Sequence, residues 1–133
     1  FPIRKNISLE QNRLHVDHHF SDQMKQIFTT EINLAMPSCD GMGGRYVYQG
    51  KIPGGFGQLL ELNHLTEIIL DDDTLGGSVV LRTSSPVTLR AYPHYSVSQS
   101  ESGFEKIMQA VTLQVECPTS AQGLNITLEI NAR

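Results

Sequence analysis

The sequence is poor in the residues on which most recognisable functional motifs depend. It contains no tryptophan, and charged residues make up 18% of the chain, below the roughly 25% of an average soluble domain. It has no basic run, and its formal net charge is -4. Because binding to nucleic acid depends on clustered Lys and Arg, we predict no nucleic-acid partner. No apolar run approaches the roughly 20 residues of a membrane helix, so we also predict no membrane insertion.

The size of the chain predicts a single domain over residues 1–133. Its 133 residues, of which 39% are hydrophobic, suffice for one core but not for two domains. The sequence begins at Phe1 rather than at a Met. A removed signal peptide would explain this start, as would a shortened chain. Together with the low charge, it leads us to expect a secreted or cell-surface protein.

Cysteine is also scarce, and its placement predicts a disulfide. The only two cysteines, Cys39 and Cys117, do not form a C-x-x-C pair. A structural zinc site would need two further ligands close by, and none has the required spacing. We therefore expect a long-range disulfide between them, which would stabilise the fold by about 4 kcal/mol. Two buried thiols are the alternative.

The strongest positive signal is the alternation of apolar and polar residues, which is typical of β-strands with one buried face. It recurs in segment after segment and is clearest near the end of the chain, at residues 107–117 and 124–131. Turn residues separate the segments at the spacing expected of a β-sandwich, which favours Greek-key connections. Pro86, for example, separates a strand predicted over residues 78–82 from one predicted over residues 87–92. Residues 57–70 fit either a helix or a strand, and strand is preferred. Residues 21–28 allow one short helical turn, capped by Ser21.

Local motifs for catalysis or metal binding are weak. His15 and His19 share the polar face of a predicted strand, but no carboxylate or cysteine of suitable spacing accompanies them. The run Asp71, Asp72 and Asp73 lacks the spacing of a calcium loop and indicates a solvated turn. No nucleophile elbow is present. We therefore predict no catalytic residue, no metal site, no cofactor and no enzyme, although a small secreted hydrolase whose active site is assembled from distant loops stays open.

Aromatic side chains cluster in two segments and provide the candidate ligand-binding residues. Tyrosine combines a flat apolar ring with a hydroxyl group, which suits recognition of glycans and proteins. The alternative is that these rings fill the core. The candidates are Tyr46, Tyr48, Tyr92, His94 and Tyr95.

The first strand carries a resemblance to a known family. The segment Ile3-Arg4-Lys5-Asn6-Ile7-Ser8-Leu9 is similar to the mature N-terminus of chaperone-usher fimbrial subunits. This resemblance implies an immunoglobulin-like sandwich that lacks one strand, and a pilus subunit for cell adhesion. Its partners would be neighbouring subunits, a periplasmic chaperone and a host glycan or protein receptor.

In such a fimbrium, residues 1–12 would be the candidate donor strand, contributing Ile3, Ile7 and Leu9 to a groove of the neighbouring subunit. The segment resembles especially the alternate-chaperone group of colonisation-factor pilins. Pilins of this group often lack cysteine, so a minor or tip subunit, or another fimbrial branch, fits as well as the main shaft. The alternative function is a self-contained secreted recognition module, either a lectin-like or a receptor-ectodomain β-sandwich.

Overall fold

In the part of the chain that the structure describes, β-strands are joined by turns and loops. The structure, a computed structural model, describes residues 3–21, 26–39, 42–119 and 123–133. Across these residues no helix occurs, and none could therefore cross a membrane. The strands are β1 (Ile3–Glu10), β2 (Arg13–Phe20), β3 (Ile27–Leu34), β4 (Gly44–Tyr48), β5 (Lys51–Gly55), β6 (Leu60–Asp72), β7 (Gly77–Ser100), β8 (Gly103–Pro118) and β9 (Gly123–Ala132).

The prediction of an all-β fold is confirmed, and the alternation of the sequence is its cause. In β9, Leu124, Ile126 and Leu128 are buried while the residues between them are not. The ambiguous residues 57–70 contribute most of β6, a strand of 13 residues. Part of the helical turn considered for residues 21–28 lies outside the described residues, and Ile27 and Phe28 begin β3 instead.

Two long strands, β6 and β7, pass through both layers of the fold. Residues 77–83 of β7 pair with β9, whereas residues 88–100 pair with β8. The partner β6 follows the same path, with register shifts on either side of Leu65. Such irregularities bend a strand and allow it to change sheets. Because the strand continues through Pro86, the two strands predicted around this proline are one strand of 24 residues.

The bend of β6 and β7 divides the strands into two layers. The first layer has the strand order β1-β2-β9-β7-β6-β4-β5. In it, β7 contributes residues 77–83 and β6 contributes residues 67–72. The second layer contains β3, β8 and the remaining parts of β7 and β6. The result is a sandwich-like fold.

The two layers enclose one core, and the strands of one layer are nearly aligned with those of the other. At one end, the ring of Phe28 on β3 lies 4.9 Å from the ring of His18 and 5.0 Å from that of Phe20, both on β2. At the other end, Leu34 of β3 lines a groove together with Leu14 of β2. This alignment is the packing typical of β-sandwiches. We call the end near Phe28, where β6 and β7 bend, the closed end and the end near Leu34 the open end.

The prediction of a donor strand in residues 1–12 is wrong, because β1 pairs with the strand that follows it. Ile3, Ile7 and Leu9 lie opposite Phe20, Val16 and Leu14 of β2. A two-residue loop joins the strands, with Gln11 in the left-handed region at φ 54°. Closing so short a loop costs little entropy. The strand that the resemblance assigned to a neighbouring subunit therefore completes the edge of its own sheet.

The predicted disulfide is also absent from the described residues, where Cys39 and Cys117 are buried thiols. Cys117 lies opposite Phe28 at the closed end. Cys39 lies in the turn after β3, which ends at Leu34 at the open end, and is next to Ser38, which binds Asp72. From Phe28 to Leu34 the strand rises by about 20 Å, and a disulfide needs Cα atoms within about 7 Å. The separation of the two cysteines in the sequence was compatible with a disulfide, but the pairing of the strands is not.

We predict that both cysteines react with iodoacetamide in denaturant without any reductant. Burial raises the pKa of the Cys117 thiol and protects it in the folded state, so denaturant is needed for modification. Mass spectrometry should show two added groups per chain, and prior reduction should change neither this count nor the midpoint of unfolding. Modification only after reduction would contradict the structure.

Candidate functional site

The carboxylate of Asp72 fastens the turn after β3 to the end of β6. Asp72 is fully buried and accepts hydrogen bonds from the backbone N–H of Ser38, at 2.9 Å, and from its hydroxyl, at 2.6 Å. The backbone N–H groups of Thr74 and Leu75 also donate to it, at 2.9 and 3.0 Å. Burial by itself would raise the pKa of Asp72, but these hydrogen bonds outweigh it and leave the pKa lowered. The group is a structural anchor that stays ionised.

Two arginines form ion pairs with the neighbouring carboxylates of Asp71 and Asp73. Arg45 lies 2.5 Å from Asp71 and 3.0 Å from Asp73, and Arg133 lies 2.7 Å and 2.9 Å from the same two residues. Hydrogen bonds from Arg45 and then Arg133 lower the pKa of Asp73. The acidic run of the sequence is therefore an ion-pair network and not a simple solvated turn.

The carboxylates with shifted pKa values are poorly suited to acid catalysis. Glu129 lies 2.8 Å from Arg13 and 3.0 Å from Arg82, and hydrogen bonds from Asn131 and these arginines lower its pKa. The pKa values of Asp72 and Asp73 are lowered as well. A general acid that works near neutral pH needs a raised pKa, which is the opposite direction.

The histidines of β2 are separated between the core and the surface. His18 is 3% exposed, and burial lowers its pKa. The Nδ1 atom of His15 lies 3.1 Å from the hydroxyl of Thr127, and His19 is exposed. Within the described ranges, no three His, Cys, Asp or Glu side chains are grouped in a way that could hold a metal ion.

Two of the candidate ligand-binding tyrosines belong to the first layer and its core. Tyr46 is completely buried, and its ring meets that of Phe56 edge-on at 5.3 Å. Its hydroxyl has no hydrogen-bond partner among the described residues. Tyr48 is half-buried and packs against the same core. Tyr46 is therefore a packing residue, which is the alternative that the sequence left open.

The other three candidates lie on β7 in the second layer, on opposite faces. Tyr92 and His94 share one face, where the hydroxyl of Tyr92 donates to Glu31 at 3.3 Å. Tyr95 lies on the other face, 40% exposed, with the ammonium group of Lys106 4.0 Å from its ring centroid. The five candidates thus do not form one surface, and a ligand-binding role for the exposed ones stays a prediction.

A feature that the sequence reasoning missed is a two-stranded ribbon at the open end. We call residues 95–108, the paired ends of β7 and β8, the ribbon. In the described pairings, β6 leaves β7 at Ala91 and β3 leaves β8 at Val111, so the ribbon strands pair only with each other. Six residue pairs extend in this way, which corresponds to about 20 Å of strand.

The two faces of the ribbon differ: one carries its valine and aromatic side chains together with Gln99 and Lys106, and the other carries mostly serine. Alternation places Tyr95 and Val97 on the same face as the core residues Leu89 and Ala91 of β7, so the inner face of the second layer continues along the ribbon. Phe104 lies on this inner face opposite Gln99. The other face carries mostly serine and glutamate: Ser96, Ser98, Ser100 and Glu105, with Ile107 the one large apolar residue. Val97 is 68% and Phe104 79% exposed.

An apolar groove opens at the same end of the sandwich. Its volume is about 210 Å³, and Leu34 of the second layer forms one side of it. The other side belongs to the first layer, where Leu9 is 77% and Ile130 57% exposed. Among the described residues that line the groove none is aromatic or acidic, and the polar ones are Gln11, Asn12 and Arg13. The open end therefore presents an apolar groove beside an apolar ribbon.

Comparison with known proteins identifies the family. The sequence profile of the family described as "Alpha-amylase/4-alpha-glucanotransferase, C-terminal" matches residues 1–130. The chain belongs to this family. No curated protein matches the chain significantly.

Among solved structures, the chain is similar to the 4-α-glucanotransferase from Thermococcus litoralis. The TM-score is 0.63 at 22% sequence identity. The match covers 98% of this chain but only 18% of that one, so the chain spans less than a fifth of the solved protein. At this identity the likeness supports the fold alone, and it agrees with the sandwich-like arrangement of strands.

The family corrects the functional predictions from the sequence. A pilus subunit, with its neighbouring subunits, chaperone, host receptor and adhesive role, is wrong, because the glucanotransferase family matches nearly the whole chain and the fimbrial resemblance covered seven residues. The self-contained recognition module is not supported either. The prediction that the chain has no part in an enzyme is wrong as well, since the family is the C-terminal part of one.

The unsatisfied hydroxyl of Tyr46 yields a stability prediction. Replacing Tyr46 by Phe removes a buried polar group but keeps the ring, so the free energy of unfolding should rise by about 1 kcal/mol. The control, Tyr48→Phe at a half-buried position, should stay within about 0.5 kcal/mol of the parent. Both are measured by urea unfolding. A loss of stability in Tyr46→Phe would show that the hydroxyl is bonded.

Proposed function

We propose that this chain is the non-catalytic C-terminal β-domain of an enzyme that transfers or hydrolyses α-1,4-linked glucans. The observation that carries the proposal is the match of the family to residues 1–130. The similar fold within a much longer 4-α-glucanotransferase supports it. In this proposal the active site lies in another part of the polypeptide, and this domain supports that part.

The ion pairs of the domain favour a supporting role. Glycoside transfer with retention uses two carboxyl groups about 5 Å apart, one as nucleophile and one as general acid. Here the carboxylates of Asp71, Asp73 and Glu129 are each bound by two arginines. Asp72 is occupied by backbone and hydroxyl donors. These contacts stabilise the sandwich, and the pKa values of Asp72, Asp73 and Glu129 are lowered.

Three finer predictions remain part of the proposal. The first is an immunoglobulin-like, Greek-key arrangement, which the passage of the chain between layers from β2 to β3 and from β8 to β9 supports. The second is a single domain over residues 1–133, which the shared core of both layers supports. The third is export of the protein. The predicted disulfide no longer supports it, because the described cysteines are thiols.

The proposal is tested by an activity assay on the full-length protein. Incubated with maltoheptaose, it should produce a series of shorter and longer oligosaccharides, or shorter ones alone if it is a hydrolase. Chromatography of the products distinguishes the two. The separate 133-residue chain at the same concentration should leave maltoheptaose unchanged. Activity of the separate chain would refute its non-catalytic role, and a full-length protein inactive on α-1,4-glucans would refute the enzyme class.

A further inference from the structure

The ribbon exposes an apolar face that the described part of the domain does not cover. Two-stranded hairpins are marginally stable in water unless one face packs against something. On the inner face, Val97 and Phe104 are 68% and 79% exposed. Their apolar area stays in contact with water, which is unfavourable, unless a partner covers it. The contact of Lys106 with the Tyr95 ring shields only the base of this face.

The outer face shows that the apolar residues of the ribbon are concentrated on its inner face. Ser96 and Ser98 lie opposite Ile107 and Glu105 on that face. An element exposed to water on both sides would gain nothing from concentrating its valine and aromatic residues on one of them. The alternation therefore indicates burial of the inner face alone.

The groove and the inner face of the ribbon adjoin each other. Leu34, which forms one side of the groove, lies opposite Val111, and the ribbon begins beyond this pair. The inner face of the ribbon is directed to the side on which the first layer ends, with Leu9 and Ile130 exposed there. A single body seated at the open end would contact both.

The chemistry of this corner fits a protein surface better than a glucan. A sugar chain is held by hydrogen-bonding side chains around an aromatic ring, and the groove is lined largely by Leu, Ile and Val. Aliphatic side chains of this kind pack against apolar side chains of a protein. The inner face of the ribbon carries two exposed aromatic rings, Tyr95 and Phe104. Gln99 lies opposite Phe104 and Lys106 opposite Val97, and no carboxylate lies among them.

We propose that the inner face of the ribbon, together with the adjoining groove, is the surface that docks onto the catalytic part of the same enzyme. This inference rests on the proposed function. The occupant follows from the comparisons: the family is a C-terminal part, and more than four fifths of the similar solved chain lies outside the match. The ribbon acts as an arm whose apolar face is buried against that remaining part.

Hydrogen exchange of the full-length protein, followed by mass spectrometry, tests the docking. In the parent, amides of residues 95–108 should exchange about as slowly as those of the core part of β8. In the double variant V97S/F104S they should exchange at least 10-fold faster, together with one segment of the catalytic part. The control I27S/I52S removes two apolar residues of comparable exposure, 69% and 63%, on other strands and should leave the exchange of the ribbon unchanged.

The remaining outcomes are equally decisive. Slow exchange at Leu113 in every variant shows that the sandwich is folded, and Phe104→Leu, which keeps an apolar side chain, should retain the protection of the ribbon. Fast exchange of the ribbon in the parent would overturn the docking. Protection that appears only on addition of maltoheptaose would also overturn it, in favour of a glucan site. In both cases the full-length protein would still act on maltoheptaose. If instead the proposed function is wrong, the full-length protein is inactive on maltoheptaose.

Discussion

The fold depends on one antiparallel pair of strands that belongs to both layers. The bend of β6 and β7 lies at Leu65 and Val87, which face each other and are almost fully buried. On one side of the bend the pair continues to β9 and β4, and on the other side β7 continues to β8. The layers are thus joined through the backbone itself, and the core closes between them without a covalent bridge.

The same bend explains which predictions from the sequence succeeded. Alternation has a period of two residues and is local, so the strands of Leu124, Ile126 and Leu128 could be recognised directly. Pairing is not local. Pro86 therefore suggested two strands where one bent strand exists, and Cys39 and Cys117 suggested a bridge although the register places them at opposite ends. Whether Tyr46 faces ligand or core likewise depends on its neighbours in space.

The functional prediction failed for a physical reason too. Ile3, Ile7 and Leu9 match a donor strand because an edge strand with one apolar face has the same two-residue alternation. The catalytic residues expected of the family lie, in our proposal, in another part of the polypeptide, so no motif in this chain could report them. Ser96, Val97 and Ser98 alternate visibly in the sequence, but only the structure shows that no described strand covers the face of Val97.

The central claim is that the two layers are one cooperative unit joined by the bend. Native-state hydrogen exchange in increasing denaturant measures this directly. The amides of Leu81 in the first layer and of Leu113 in the second should share one free energy of opening and one dependence on denaturant. Leu65→Ala, which removes a fully buried side chain at the bend, should lower both by the same amount. Opening of the second layer at a clearly lower free energy than the first would contradict the account.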